Sequence, residues 1–379
     1  MNLVISNFIT LKKSICINEI SGIPCNEFDF SMRRKLNAPT SYDVARHAGV
    51  SQAVVSRAFQ ADSPISAQSR AKVLSSAQTL GYQPNAVARS LITKRSGLAA
   101  VLLTEATQRD TPEVLINLSQ SLLKQGFQPL LFSCEHESQS SGALEKALAF
   151  GVDGIISCVS LPEEDLSRAH VWQRPVVLFN RHSSNPLALS VACDHVNASR
   201  LLASRLFAAG HRHFAVVTGP SDAPVSNLRT LSFVHRLQEL GIRSVETFEG
   251  DYHYESGHEA GIYLLGPSRK KRLHKRAEVI FCANDAMALG VLDAARFALM
   301  MRVPMDVSVL GFDDIPAGRR PAYLLTTVRQ PTQEMASEAA KLLRASVDER
   351  EITTRQLLLP GTLIERGSAQ MLPDASPYD

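Results

Sequence analysis

The chain reads PTSYDVARHAGVSQAVVSR from Pro39 to Arg57, and this stretch decides the fold of its N-terminal part. Thr40 is placed to cap a first helix, with Asp43 three residues on as the reciprocal acid of a capping box. Gly49 supplies a tight turn, and Ser51 caps a second helix. Two short helices so joined are typical of a helix-turn-helix, whose second helix enters the major groove of DNA. A small helical hairpin inside a core is the alternative.

The second helix carries the candidate residues for reading bases. Val54 and Val55 are expected to face inward, while Gln52, Ala53 and Arg57 point outward. The guanidinium of Arg57 suits a guanine edge, and the amide of Gln52 suits adenine. Ala53 can touch a thymine methyl group or leave room for one.

A third helix and a short fourth one are expected next. Ser66 caps the segment Ala67–Leu80, which Gly81 ends. Asn85 can cap a short helix of small residues that finishes on Leu91, a large apolar side chain in a linker. A plain flexible tether is the alternative for this linker, because two turns of isolated helix do not persist in water.

These motifs resemble the lactose/galactose-repressor family of bacterial transcription regulators, from about Pro39 to about Arg366. The resemblance implies that two copies of the linker helix pair on DNA, lie in the minor groove and wedge Leu91 into a base step. The residues that carry it are Asp43-Val44-Ala45, Ala48-Gly49-Val50-Ser51, Val55-Ser56-Arg57, Gly81-Tyr82, Pro84-Asn85 and Ala88-Arg89-Ser90-Leu91. The expected DNA-contacting residues are Thr40, Ser51, Gln52, Ala53, Ser56, Arg57, Asn85, Ala88 and Leu91.

Charge is unevenly distributed along the chain. The formal net charge is +3, yet the segment from Met32 to Gly97 carries +8 and the remainder about −5. A basic head on a slightly acidic body is the electrostatic footprint of a protein that binds nucleic acid.

After Gly97 the pattern alternates between apolar strands and amphipathic helices, which predicts parallel sheets covered on both faces. The expected strands are Leu98–Leu103, Pro129–Ser133, Asp153–Cys158, Val176–Asn180, Leu189–Cys193, His213–Thr218, Val245–Glu249, Glu278–Ala283 and Val307–Gly311. So many strands imply two lobes. The resemblance implies an α/β, periplasmic-binding-protein-like body whose chain crosses between lobes near Cys193–His195, Gln330 and Leu358–Pro360.

Ligands of such folds bind in the cleft, at the carboxyl ends of strands. Four residues there match family positions that carry an effector-binding arginine, asparagine, aspartate and often an aromatic ring: Arg229, Tyr252, Asn284 and Asp313. Their donors, acceptors and apolar ring suit a polyhydroxylated ligand. As alternatives, Asp313 and Asn284 are helix caps. The match of Tyr252 is the weakest of the four, because its loop aligns poorly with the family.

One further segment departs from the family pattern, and another is basic enough to suggest nucleic-acid binding. The loop Thr104–Pro112 replaces a loop rich in Pro and Phe, so Arg109 either offers charge to an anionic ligand or is solvated. The basic run Arg269–Arg276 is expected to be a solvated loop.

The cysteines lack metal-ligand spacing and are expected to be buried free thiols: Cys16, Cys25, Cys134, Cys158, Cys193 and Cys282.

The domain boundaries follow from these patterns. Residues 1–38 match nothing in the family, and either Met32 is the true start or a disordered leader precedes it. A helix-turn-helix head spans 39–83, the hinge helix and linker 84–97, and the two-lobed body 98–366. A disordered tail is expected over 367–379. A C-terminal zipper that would form tetramers is not expected there, because Pro373 and Pro377 interrupt the segment and it has no heptads.

The expected function is a ligand-responsive transcription regulator, more specifically a repressor. It would bind a palindromic operator as a homodimer, since one recognition helix covers only a half-site. The expected partners are double-stranded operator DNA and a sugar or sugar-derived effector, with no cofactor and no membrane, in the bacterial cytoplasm at the nucleoid. A periplasmic solute-binding protein would need a secretory signal and no basic head, and a sugar enzyme would need a catalytic motif that is missing from the sequence.

Overall fold

The computed structural model describes residues 38–59, 63–84, 95–181, 183, 185, 188–266, 276–350, 352 and 355–371, except for three side chains between 105 and 110. Contacts divide the chain into two compact units, Met1–Asn85 and Ala86–Asp379, here called the head and the body. In the described ranges no helix combines the length and apolarity that a membrane crossing needs. The predicted hinge falls mostly on residues 85–94, which lie outside the described residues, as do residues 1–37 and the basic run at 269–275.

Three helices form the head: α1 (Ser41–Ala48), α2 (Gln52–Ala58) and α3 (Ala67–Leu80). The predicted capping box is present, with Thr40 Oγ1 accepting from the amide of Asp43 at 3.3 Å. Gly49 adopts a left-handed conformation with φ of 65°, which a side chain would strain. The core of the head consists of small apolar side chains, which are Val44, Ala45, Ala48, Val55, Ala58, Val73 and Ala77.

The body alternates strands and helices as the sequence predicts. In chain order its elements are β1 (Leu98–Thr104), α4 (Glu105–Asp110), α5 (Pro112–Lys124), β2 (Gln128–Cys134), α6 (Ser140–Ala149), β3 (Gly154–Ser157), α7 (Glu163–Val171), β4 (Val176–Phe179), β5 (Leu189–Cys193), α8 (His195–Ala208), β6 (Phe214–Thr218), α9 (Pro224–Glu239), β7 (Val245–Glu249), α10 (Tyr254–Leu265), β8 (Val279–Cys282), α11 (Asp285–Asp293), β9 (Ser308–Leu310), β10 (Thr327–Arg329), α12 (Thr332–Val347), β11 (Gln356–Leu359) and β12 (Thr362–Ile364). A π turn over Ala294–Ala298 extends α11.

Two parallel sheets define two lobes. The first lobe contains a six-stranded sheet in the order β11-β5-β4-β3-β1-β2, and the second a four-stranded sheet in the order β7-β6-β8-β9. The strands of both sheets contain buried apolar residues, for example Val101 and Ile156 in the first sheet and Val216 and Phe281 in the second. Helices cover both faces of each sheet. All strand pairs within these two sheets are parallel, which confirms the predicted fold class.

The chain passes between the lobes near the three crossings that the family resemblance implied. The first passage joins β5 to α8, the second joins β10 to α12, and the third joins β11 to β12. β10 and β12 pair antiparallel beside the second and third passages, with Val328 opposite Leu363. We call the space bounded by the carboxyl ends of the strands of both lobes the cleft.

The C-terminal boundary of the body differs from the prediction, because residues 367–371 are packed rather than disordered. Ser368 is fully buried, and its hydroxyl donates to the carbonyl of Val309 at 2.6 Å. Its carbonyl accepts from the amide of Val309 at 2.8 Å, which covers the edge of β9. Backbone pairing at a sheet edge leaves no periodic signal in the sequence, so the prediction of a tail from Gly367 was wrong for these residues.

Candidate functional site

Arg229 is a buried cation on α9, and only 4% of the residue is exposed. Its Nη2 lies 3.0 Å from Oδ1 of Asp313, and its Nη1 donates to the carbonyl of Ala283 at 2.7 Å. The guanidinium also lies over the ring of Phe312, 3.9 Å from its centroid. A buried charge needs such partners, because an unpaired cation in a low dielectric is costly. The side chain is therefore held in one position at the carboxyl ends of β8 and β9.

Five side chains, one of which is this arginine, form a closed ring of hydrogen bonds. Asn180 Nδ2 donates to Gln330 Oε1 at 2.9 Å, and Gln330 Nε2 donates to Asp313 Oδ1 at 2.6 Å. Arg229 reaches the same carboxylate oxygen, and its Nε donates to His195 Nδ1 at 3.3 Å. Because Nδ1 accepts, Nε2 of His195 carries the proton and donates to Asn180 Oδ1 at 2.9 Å. We call these five side chains the hinge ring.

The hinge ring connects the two lobes. Asn180 follows β4 of the first lobe, whereas Arg229 and Asp313 belong to the second. His195 and Gln330 stand at the first and second passages between the lobes. Burial raises the pKa of Asp313, while the charge of Arg229 and the hydrogen bond from Gln330 oppose that rise. The Arg229–Asp313 pair is therefore hydrogen-bonded to one residue at each of these two passages.

Tyr252 and Asn284 complete the second-lobe side of the cleft. Asn284 caps α11 by accepting from the amide of Met287 at 3.0 Å, and its Nδ2 donates to the carbonyl of Tyr252 at 2.9 Å. Tyr252 has a φ of 72°, and its ring covers Gly219 so closely that a Cβ there would lie 2.5 Å from the ring. Burial raises the pKa of Tyr252, although the charge of Arg229 opposes the shift.

The structure thus brings the four predicted effector residues together. Asn284 is a helix cap, as one alternative held, and also fixes the loop that carries Tyr252. Asp313 pairs with Arg229 and Gln330 instead of serving as the helix cap of the other alternative. Their role in binding an effector stays a prediction.

An ion pair stands on the first-lobe side of the cleft. Nη2 of Arg181 lies 2.5 Å from Oε1 of Glu137, and the other carboxylate oxygen accepts from the amide of Ser160 at 3.2 Å. Burial opposes ionisation of Glu137, but the charge of Arg181 and the hydrogen bonds outweigh it, so the pKa of Glu137 is lowered. The charge of Arg181 also reaches Tyr252 in the other lobe and acts on the pKa of that phenol. This side of the cleft is therefore charged.

The loop after β1, expected to depart from the family pattern, forms the short helix α4. Thr104 caps it by accepting from the amide of Thr107 at 3.2 Å, and Gln108 Nε2 donates to Ser133 Oγ at 2.6 Å. The side chain of Arg109 lies outside the described part of the structure, so its expected role near a ligand stays a prediction.

The head presents most of its candidate DNA contacts to solvent. Ala53, Ser56 and Arg57 are exposed on α2, whereas Val55 is buried and Val54 only half-buried. Such an exposed face is what a recognition helix requires.

The remaining head candidates have structural partners or lie outside the described residues. Thr40 and Ser51 are exposed caps. Gln52 is half-buried, and its Nε2 lies 3.4 Å from Ser41 Oγ, so it also joins the two helices. The predicted contacts Asn85, Ala88 and Leu91 fall on residues that the structure does not describe.

Sequence reasoning missed three members of the hinge ring, namely Asn180, His195 and Gln330. Each stands at a strand end or a passage between lobes, and that position was the available signal. Their partners, however, are 15 to 150 residues away along the chain, so no local pattern announces the contacts.

Comparisons with known proteins agree with this geometry. The model for bacterial regulatory proteins of the lacI family matches residues 40–85, and the model for periplasmic binding protein-like domains matches residues 203–369. The catabolite control protein A of Priestia megaterium is 30% identical over 336 residues, with 87% of this chain and 99% of that protein covered. The transcriptional repressor CytR of Escherichia coli K12 is 27% identical over 345 residues, covering 90% of this chain and 99% of the repressor.

A solved structure extends the likeness to three dimensions. The Lac repressor dimer bound to operator and the anti-inducer ONPF superposes with a TM-score of 0.77 at 26% identity, covering 87% of this chain and 98% of that one. The head and the two-lobed body thus have counterparts along nearly the full length of known regulators. The chain belongs to the lacI family of bacterial regulatory proteins.

Proposed function

We propose that the protein is a ligand-responsive repressor that binds a palindromic operator as a homodimer and holds a sugar or sugar-derived effector in the cleft. The observation that carries the effector site is the fixed Arg229–Asp313 pair, which lies beside Tyr252 and Asn284 at the carboxyl ends of the second-lobe strands. Such a set offers a polyhydroxylated ligand charged hydrogen bonds and an aromatic face. We propose no enzymatic activity and no cofactor.

The hinge ring supplies the route by which an effector would change DNA binding. A ligand that favours one arrangement of Arg229 and Asp313 also favours one arrangement of Gln330 and His195 at the passages between lobes. Ligand binding then shifts the balance between lobe arrangements, and operator affinity shifts with it.

The DNA-binding half of the proposal rests on the exposed face of α2 and on the relatives. The solved Lac repressor is a dimer on operator DNA, and two-fold symmetry would place two copies of Ala53, Ser56 and Arg57 in successive major grooves. Leu91 would act as a wedge in the minor groove. We place the protein in the bacterial cytoplasm, at the nucleoid, where its operator would be.

The test combines a ligand screen with an operator assay on the full chain. Thermal-shift measurements against sugars, sugar acids and sugar phosphates identify candidate effectors, and fluorescence anisotropy on selected operator DNA then measures their effect. We expect a ligand that raises the melting temperature to change operator affinity, and Arg229→Lys to remove that response. A stabilising ligand that Arg229→Lys binds with unchanged affinity would place the effector elsewhere.

A further inference from the structure

The ion pair of Arg181 and Glu137 lies across the carboxyl edge of the first-lobe sheet. Glu137 follows β2 and Arg181 follows β4, and in the sheet these two strands flank β1 and β3. A bond between residues that follow β2 and β4 therefore spans the carboxyl ends of β1 and β3, where ligands of such folds bind. Ser160, which follows β3, holds the pair there by donating its amide to Glu137 Oε2 at 3.2 Å.

Arg181 also adjoins the hinge ring through direct contacts. Its Nη1 donates to the backbone carbonyl of Asn180 at 3.0 Å. The side chain of Asn180 in turn donates to Gln330, at the second passage between the lobes, at 2.9 Å. The first-lobe ion pair and the ring that holds Arg229 thus meet in two adjacent residues of the same loop.

The guanidinium of Arg181 keeps hydrogen-bonding capacity that the described residues do not use. Nη1 and Nη2 each donate one hydrogen bond, to Asn180 and Glu137, whereas Nε is buried and has no acceptor in the described part of the chain. Arg229, by contrast, donates through all three nitrogens, and its side chain is 5% exposed against 17% for Arg181. Of these two arginines, Arg181 therefore has more donors left for a ligand.

The pair presents donors and acceptors side by side. Burial opposes ionisation of Glu137, but the charge of Arg181 and the hydrogen bonds lower its pKa, so the carboxylate stays ionised. A guanidinium only donates, a carboxylate only accepts, and a hydroxyl group does both. Two neighbouring hydroxyl groups can therefore bridge the pair, one accepting from Arg181 and the other donating to Glu137. A ligand carboxylate or phosphate would bind Arg181 and leave Glu137 beside a like charge.

We propose that Arg181 and Glu137 form the first-lobe half of the effector site and bind a vicinal diol of a neutral sugar. This inference rests on the proposed function, because it assumes that the cleft holds the effector. Each lobe then contributes one arginine–carboxylate pair, Arg229–Asp313 from the second lobe and Arg181–Glu137 from the first. A ligand bound by both pairs would link the lobes. Its hydrogen bonds to either pair are charge-assisted, the stronger class of polar contact.

A structural role must be separated from recognition, since the pair also ties the loop after β2 to the loop after β4. Glu137→Gln keeps an acceptor for Ser160, and Arg181→Lys keeps the charge while removing the planar fork. The matched control is the surface pair Arg200–Glu239, which joins α8 to the last residue of α9 at 2.8 Å. Glu239→Gln and Arg200→Lys remove the same groups there. Melting temperatures without ligand report the structural contribution of each variant.

The binding experiment uses the full chain and a defined panel. Glucose, galactose, mannose, ribose and xylose are titrated together with the uronic acids and 6-phosphates of the hexoses, by thermal shift and then by calorimetry. We expect a neutral sugar to bind tightest. Glu137→Gln and Arg181→Lys should each weaken it about tenfold or more, as the loss of one charged hydrogen bond implies, and the control variants should leave its affinity as it is.

Deoxy analogues of the tightest sugar test the contact itself. Each analogue lacks one hydroxyl group. The analogue without the hydroxyl that donates to Glu137 should bind the wild type and Glu137→Gln with similar affinity, because the contact is already lost. The other analogues should still bind Glu137→Gln about tenfold more weakly than the wild type. A uniform loss for every analogue would show that the substitution acts through the structure, and would overturn the contact.

The outcomes separate this inference from the proposed function. If an acid or a phosphate binds tightest and Arg229→Lys abolishes that binding, the cleft is the effector site but the neutral diol is wrong. If a neutral sugar requires Arg229 but binds Glu137→Gln and Arg181→Lys as tightly as the wild type, the cleft stands and the role of the first-lobe pair is overturned. If no member of the panel binds, the ligand class is also wrong, and operator binding by the same preparation decides separately whether the regulatory function stands.

Discussion

Arg229→Ala tests whether the pair at the centre of the cleft also stabilises the fold. The side chains of Arg229 and Asp313 are 5% and 12% exposed, so the alanine variant leaves a largely desolvated carboxylate without its cation. It also removes donors to His195 Nδ1 and to the carbonyl of Ala283. Breaking a buried pair by removing one partner costs about 3–5 kcal/mol of unfolding free energy. We expect a loss of that size in the body.

The assay is urea denaturation of the full chain, followed by far-UV circular dichroism, on a double-mutant cycle. Asp313→Asn keeps the shape of its partner while removing the charge, so Arg229→Ala should cost less in its presence. The coupling energy expected for such a contact is about 1–3 kcal/mol. A cost below about 1 kcal/mol for Arg229→Ala, with no coupling to Asp313, would refute the reasoning that the pair is buried and mutually dependent. In that case alanine could serve as a clean probe of ligand binding.

Four further predictions concern the head, the hinge and the second lobe. Arg57→Ala should cost about 1–3 kcal/mol on the specific operator and much less on random DNA in anisotropy titrations, and equal losses would make it a phosphate contact. Leu91→Ala should weaken specific binding and reduce operator bending in gel-shift assays, while the melting of the body stays the same; an unaltered bend would rule out the wedge. Burial raises the pKa of Asp285 from 3.8 to about 7, so the contribution of this group to stability is present below pH of about 4 and is lost as pH rises through about 7. Asp285→Asn should therefore flatten the fall in unfolding free energy from about pH 4 to about pH 7, and parallel pH profiles would contradict this assignment. A Cβ at Gly257 would collide with the backbone of Met287, so Gly257→Ala should destabilise the body by about 1–3 kcal/mol in urea denaturation. A variant as stable as the wild type would show that α10 and α11 can separate without cost.

Features that depend on local chemistry could be predicted from the sequence. The caps at Thr40 and Ser51, the turn at Gly49 and the strand ends before Asn284 and Asp313 are each set by a few neighbouring residues. Apolar runs of five or six residues likewise marked most strands of the two parallel sheets, because both faces of a parallel sheet are covered.

Features that depend on distant partners could not be predicted. The short edge strand β11 has a mixed burial pattern and is defined by pairing with β5, more than 160 residues earlier. The helix α7 is only nine residues long, and its polar composition gives little periodic signal. The partners of His195 could not be predicted either. Nothing in the sequence around a histidine that follows a strand indicates a hydrogen bond to Asn180. Family resemblance supplied the four candidate effector residues, but not the hinge ring that contains two of them, Arg229 and Asp313.

The hinge ring has a consequence for how new specificities can arise in this scaffold. Its members His195 and Gln330 lie at the passages between the lobes, whereas Glu137 and Arg181 form an ion pair on the first-lobe side and take no part in the ring. Substitutions on that side can therefore alter which molecule is recognised without disturbing the bonds that relate the lobes. We expect libraries varied at Glu137 and Arg181 to yield regulators with new effectors, while libraries varied in the ring lose responsiveness to every effector. Recognition and signalling are then separable parts to engineer.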